Sequence, residues 1–319
     1  MATVLKPGWK KPSTILFASE IPANEKAFSF ALAQAVEFGA ELILFHAYDT
    51  LMVSASESSS VLYYDSIAAS RDEMEHLEPL AKRVRDAGVK CKTVVRPGLA
   101  ADQILSFLRV RKIDRIVMGT HSPGPIGKLL VGSVAEAVLR MASVPVFVVG
   151  PEVADWTYGH FSLRSILCGI SLHESSSMVA AFAAELAAEH SARLVLQHVI
   201  RPQERHDVLA GRSIDQIKDE MVSLVPFTHR GRISVLPIVA SGDPTEELLF
   251  QARLQQAGLI VLGAQGASAF AAVAHLGVIY KMLAHARCPV MTLSPVVLAA
   301  GGVKMERIHA PEVFLAGVF

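Results

Sequence analysis

Short apolar runs rich in Ile, Val and Phe alternate along this chain with longer stretches whose apolar positions recur every three or four residues. In the first half the runs fall at Thr14–Ala18, Leu42–His46, Lys92–Val95, Arg115–Gly119 and Pro145–Val149. Most are continuous and do not alternate with polar residues, which predicts strands buried on both faces, as in a parallel sheet. Helices are predicted between them. Glu25–Phe38 carries Phe28, Ala31, Leu32, Ala35 and Phe38 on one face and stops at Gly39; Ser66–Ala87, Ala101–Arg111 and Ser133–Met141 complete the set. The second half repeats the alternation, with strands at Ser165–Gly169, Arg193–His198, Arg232–Ile238, Leu259–Gly263 and Pro289–Leu293. Its helices are predicted at Ser175–Glu189, Ile214–Leu224, Thr245–Gln256 and Val278–His285. Strand–helix–strand alternation of this kind is the signature of doubly wound α/β sheets.

The two halves also match in detail. Ile15-Leu16-Phe17-Ala18, Leu44-Phe45-His46, Gly98, Ile116-Val117-Met118-Gly119 and Val144-Pro145-Val146 return as Ile166-Leu167-Cys168-Gly169, Leu196-Gln197-His198, Gly242, Ile260-Val261-Leu262-Gly263 and Cys288-Pro289-Val290. The offset stays between 144 and 152 residues. The expectation is two copies of one α/β domain, residues 1–150 and 164–294, joined through Pro151–Leu163. A tail, 295–319, lies outside the repeat. The first copy is longer before Gly98, and its extra length is placed near the serine-rich stretch Ser54–Ser60.

The bulk numbers narrow the function. The 319 residues suit two domains of ordinary size. Thirty basic and thirty acidic residues cancel, which argues against a nucleic-acid surface. No apolar run approaches the roughly 18 residues of a spanning helix, so no membrane partner is expected. Lys6, Lys10 and Lys11 precede no apolar segment of the secretory kind, and Cys91, Cys168 and Cys288 are sparse and far apart. Both observations point to a cytoplasmic protein without a metal cluster.

In open α/β sheets ligands bind at the carboxyl ends of strands where the strand order reverses. That directs attention to Ala18-Ser19-Glu20 after the first strand. It also points to the segment after the fourth, from Gly119 through Ser122 and Lys128 to Gly132-Ser133 at a helix start. Free N–H groups, a favourable dipole and a hydroxyl make Gly132-Ser133 suitable for an anion, with simple helix capping by Ser133 as the alternative. Gly124-Pro125-Ile126-Gly127-Lys128 is not a P-loop, because that motif has four residues between its glycines and Ser or Thr after the lysine. Lys128 is read as a surface residue, or else a phosphate contact.

At these positions the chain resembles the universal stress protein family. The likeness is carried by "ILFAS-E", by "LFHAYD" and by "IVMGTHSPGPIGKLLVGSVAEAVLRMASVPVFVV" in the first half. In the second it rests on "ILCGIS", "GDPTEELL" and "LIVLGAQG…RCPVMTL", and it spans about 290 residues in all. The resemblance implies two tandem doubly wound five-stranded parallel sheets, each with strand order 3-2-1-4-5 and similar to adenine nucleotide α-hydrolases. It also implies that domains pair through their last strand, which would set Val146–Val149 and Val290–Leu293 side by side and antiparallel and cover two exposed edges. Some members bind ATP through a Gly-x2-Gly-x9-Gly-Ser/Thr motif and an acidic residue after the first strand; others lack the motif and bind none.

Transferred to this chain, the nucleotide-binding set is Ala18, Ser19, Glu20, Ala47, Met118, Gly119, Ser122, Lys128, Gly132, Ser133 and Val134. Glu20 stands where the family usually has Asp, and Ala47 matches a base-pocket position. Ser122 departs from the pattern, because it replaces the middle glycine and precedes Pro123, which disfavours a left-handed conformation. In the second half Gly263 and Gly266 remain. Ten residues then separate Gly266 from Gly277, Val278 replaces the hydroxyl residue, and Ser171 replaces the acid. That half is expected to have lost the site.

His46 and His198 are read as strand-end histidines bonded to backbone, and Asp102 and Asp243 as helix caps. Nothing matches a nucleophile elbow or a zinc motif. The leading expectation is therefore a non-catalytic tandem stress protein. Its first half would bind ATP, with magnesium accompanying the nucleotide, and the two halves would form an internal pseudo-dimer open to further homodimerisation. A nucleotide-free interaction module is the alternative, and a slow ATPase or nucleotide-dependent transferase is the third reading.

Overall fold

A computed structural model describes residues 11–48, 59–120, 132–154, 163–172, 175–205, 211–263 and 269–301. The first half contains β1 (Thr14–Ser19), α1 (Glu25–Phe38), β2 (Glu41–Tyr48), α2 (Ser59–Asp86), β3 (Cys91–Pro97), α3 (Ala100–Val110), β4 (Arg115–Gly119), α4 (Ser133–Met141) and β5 (Val146–Val149). The second contains β6 (Ser165–Ile170), α5 (Ser176–Glu189), β7 (Arg193–Ile200), a 3₁₀ turn at Pro202–Glu204, α6 (Ile214–Ser223) and α7 (Phe227–Arg230). It continues with β8 (Val235–Ser241), α8 (Pro244–Leu254), β9 (Leu259–Gly263), α9 (Ala269–His285), β10 (Val290–Leu293) and α10 (Pro295–Gly301). Ser54 to Ser58 of the serine-rich stretch, residues 121–131 and the tail beyond Gly301 lie outside the described residues.

Within each half all neighbouring strands are parallel, in the orders β3-β2-β1-β4-β5 and β8-β7-β6-β9-β10. The halves meet where β10 runs antiparallel to β5, with Met291 opposite Phe147, so that together they form one ten-stranded sheet. Both faces are covered, which explains the uninterrupted apolar strands. Ile15, Phe17, Leu42 and Leu44 pack with α1, α2 and α5 on one face. Leu16, Ile43 and Phe45 pack with α3, α4 and α9 on the other. The alanine-rich α5 is buried along most of its length, from Val179 through Ala187, which makes it a core helix. Small side chains let it sit close to the sheet.

The helix ends follow local chemistry. Asn24 caps α1 by accepting the Ala27 N–H at 3.0 Å, and Gly39 ends it in the left-handed conformation (φ 62°). Asp243 caps α8, accepting from the N–H groups of Thr245 and Glu246. Burial alone would raise its carboxyl, but those N–H groups and Lys281 hold it below the ordinary value. Asp102 differs from expectation: it lies in the first turn of α3, whose cap position is Leu99, and it makes no cap bond.

A buried charge ties the halves together. Arg115, at the start of β4, is 1% exposed. It donates from Nη1 to Gln34 Oε1 at 2.9 Å, lies 3.6 Å from Glu189 Oε2 of α5, and stacks over Phe38 and Phe147. Beside it His190 meets the Phe38 ring edge-on. Burial and the Arg115 charge push the imidazole down from 6.5 to about 4. An imidazole that resists protonation only when folded makes the unfolded chain the better proton acceptor between those two values. Its contribution is absent at neutral pH, and stability falls as pH drops from 6.5 toward 4. Denaturant midpoints across this range are expected to fall less steeply in His190→Asn; an unchanged slope would exclude His190 as a source.

A further contact bridges the halves: the buried Ser294 hydroxyl donates to the Ala142 carbonyl at 2.5 Å. Lys26 Nζ donates to the Pro151 carbonyl at 2.7 Å and so holds the start of the connecting segment against the first half. After Ser294, α10 packs against α4 and α5, so the start of the predicted tail is a helix seated on both halves. Among the described residues no helix is long and apolar enough to cross a membrane.

Candidate functional site

The strand order of the first half reverses between β1 and β4, and the carboxyl ends of these strands are Ser19 and Gly119. Parallel register places Ala18 opposite Met118 and Ser19 opposite His46, with Ala47 one residue further along β2. The structure therefore brings Ala18, Ser19, Ala47, Met118 and Gly119 to one end of the sheet, and the half-buried Glu20 follows directly. In a βαβ unit the helix starts at the carboxyl end of the preceding strand, so α4 presents its N-terminus to the same end. Gly132 is the cap residue and makes no side-chain cap bond; Ser133 is the first helical residue and is exposed, followed by the half-buried Val134. Ser133 thus does not cap its helix, and the first-turn N–H groups face outward. Ser122 and Lys128 lie outside the described residues.

The loop bearing Glu20 is pinned at both ends. At the near end, His46 Nδ1 lies 2.9 Å from the Ser19 carbonyl. A carbonyl only accepts, so the ring proton sits on Nδ1. The other ring nitrogen is 3.7 Å from Glu73 Oε2 of α2, which also lies 3.4 Å from His76 Nδ1. His198 repeats the first contact with the Ile170 carbonyl at 3.0 Å, so both strand-end histidines are bonded to backbone, as expected. At the far end, Asn24 caps α1 and also donates from Nδ2 to the Thr120 carbonyl at 3.1 Å. Sequence reading missed Asn24 as a site residue. Its link to β4 spans 96 residues and leaves no local signal.

Thr120 is 5% exposed, and among the described residues its hydroxyl meets no hydrogen-bond partner. A buried hydroxyl left unpaired costs about 1–3 kcal/mol, so a polar group arriving here would gain a ready donor. No group of three His, Cys, Asp or Glu side chains among the described residues is placed to hold a metal ion.

The second half differs where it matters. Gly277 and Val278, the counterparts of Gly132 and Ser133, lie inside α9, which begins at Ala269. The N–H groups that would open an anion site there are interior to a helix. At the first-strand end Ser171 replaces the carboxylate.

The universal stress protein family profile matches residues 13–150 and again 162–294. The chain belongs to the universal stress protein family. It is 32% identical over 124 residues to a universal stress protein of Methanocaldococcus jannaschii, covering 39% of this chain and 73% of that protein. A universal stress protein of Mycolicibacterium smegmatis is 24% identical over 289 residues, covering 85% of this chain and 93% of the relative. Among solved structures, a universal stress protein from Archaeoglobus fulgidus superposes with a TM-score of 0.65 at 18% identity, over 89% of this chain and 97% of that one. The universal stress protein likeness thus extends over both halves in sequence and in fold.

Proposed function

We propose that this chain is a non-catalytic, cytoplasmic stress-response protein whose first half, residues 1–150, binds ATP and whose second half, 164–294, is its built-in structural partner. The observation that carries the reading is the contrast between α4 and α9. The first half opens a helix N-terminus at Ser133 on the side of the sheet where Glu20 and Thr120 lie. In the second, the equivalent residues are mid-helix. Among the described residues, the first half offers first-turn N–H donors and a hydroxyl to a phosphate at this position, and the second does not.

The residues present fit the nucleotide. Ala18, Ala47 and Met118 supply small or apolar walls for the base. Gly132, Ser133 and Val134 supply first-turn donors for the phosphates, with Ser122 and Lys128 on the same connection. Bound magnesium would offset phosphate charge near Glu20. The antiparallel contact of β5 and β10 supports reading the two halves as an internal pseudo-dimer.

Calorimetric titration of Mg-ATP into the full chain is expected to give one site per chain, and Ser133→Ala is expected to weaken it at least about ten-fold. No heat at millimolar nucleotide would sink the proposal and leave the nucleotide-free interaction module. Steady ATP turnover abolished by Glu20→Gln would contradict the non-catalytic part.

A further inference from the structure

We infer that Asn24 is the positioning residue of the first-half site, and that Gly119 is a glycine so that Asn24 can reach across it; the link to nucleotide binding rests on the reading above. Gly119 opens the family's glycine motif, so a close approach of ligand to its backbone is the obvious explanation. The geometry points elsewhere. Gly119 does not adopt a positive φ. A β-carbon there would lie 2.6 Å from Cβ and Cγ of Asn24 and 2.7 Å from its Nδ2. The space a side chain would fill is occupied by Asn24.

One amide therefore performs two tasks. Its oxygen accepts from the Ala27 N–H and starts α1, and its nitrogen donates to the Thr120 carbonyl at the end of β4. The two segments that converge at the switch point, one bearing Glu20 and the other leading to Ser133, are fastened through that single side chain. No other residue type of this size offers an acceptor and a donor in one planar group; Asp keeps the cap and loses the donor. In the second half the counterpart of Asn24 is Ser175, which makes no side-chain cap bond. The space beside Gly263 is filled by Val179, whose Cγ2 would lie 2.8 Å from a β-carbon there. An apolar contact replaces the polar fastening in the half that has also lost the carboxylate and the helix N-terminus.

The test combines thermal unfolding with calorimetric Mg-ATP titration of the full chain carrying Asn24→Gly, Asn24→Asp, Gly119→Ala and the double change Asn24→Gly/Gly119→Ala. Glycine is tolerated at a cap position, so Asn24→Gly is expected to move Tm by less than about 2 °C. Gly119→Ala in the native background should lower Tm by about 3–6 °C through overpacking. In the Asn24→Gly background it should cost less than half as much, because the obstructing atoms are gone. Both Asn24→Gly and Asn24→Asp should weaken Mg-ATP about ten-fold, a loss that helix capping alone does not explain because Asp restores the cap. Equal Gly119→Ala penalties in the two backgrounds would overturn the interlock. Native affinity in both Asn24 variants would overturn the positioning role. If the native chain itself takes up no Mg-ATP, the nucleotide reading fails, and the thermal cycle still decides the interlock.

Discussion

Replacing Arg115 with methionine is expected to cost about 3–5 kcal/mol of stability, the loss that follows when one member of a buried ion pair is removed and the other stays. Methionine keeps the apolar stem but ends before the guanidinium that stacks over Phe38 and Phe147, so part of the loss would come from packing. Most of it comes from Glu189, whose side chain is 10% exposed and whose compensating charge comes from the other half of the chain. Burial lowers the Arg115 guanidinium to about 10, against the pull of Glu189 and Asp114, which still leaves it charged at neutral pH. Denaturant unfolding of Arg115→Met and of Arg115→Met/Glu189→Gln checks the argument. The double variant should recover most of the loss, since neutralising both partners removes the stranded charge. A single variant as stable as the native chain would mean that Glu189 finds solvent without Arg115.

The second large effect is expected at Gly150, directly after β5. A β-carbon there would overlap the main-chain carbonyl oxygen of Leu283 in α9. Backbone cannot swing aside as a side-chain tip does, so Gly150→Ala must push α9 away from β5 or strain the turn after it. Overpacking of this kind costs about 1–3 kcal/mol and occasionally more. It acts on the seam between the halves, where β10 follows α9 after a short turn. The expected result is a lower unfolding midpoint together with faster amide exchange at Val146–Val149 and Val290–Leu293. Normal protection in those strands, with any loss confined elsewhere, would show that the seam does not depend on this approach. Tyr280, on the same helix, is held up to about 12 chiefly by burial and also by Glu136 of α4, so it stays neutral at this seam.

The elements that could be read in advance are those whose limits are set locally. Glu25–Phe38 was legible to the residue because its apolar positions recur at helical spacing and Gly39 stops it, and Ser133–Met141 because Gly132 precedes it. The same cue misled in the second half. Gly277 looks like the glycine before a helix, yet α9 starts at Ala269 and runs through it. A helix-interior glycine costs only about 1 kcal/mol relative to alanine, and the apolar stretch around it tolerates that. Likewise, a strand expected at Arg232–Ile238 begins at Val235, because the short α7 and its following turn occupy the residues before it. Of the candidate site, the residues after the first and fourth strands were legible from the place of those strands in a doubly wound sheet, and Ala47 from the family resemblance. The Asn24–Thr120 bond and the Arg115–Glu189 pair were not, since each joins residues with no periodic relation in the chain.

Joining the halves through β5 and β10 also settles where main-chain pairing groups remain. Each of those strands has a neighbour on both sides, so a second copy of the chain finds no ladder to extend there. The outermost strands are Cys91–Pro97 and Val235–Ser241. Each carries a proline, Pro97 and Pro237, that withholds an N–H, and the first adds Lys92 and Arg96. Strand addition by another molecule is therefore discouraged at both flanks.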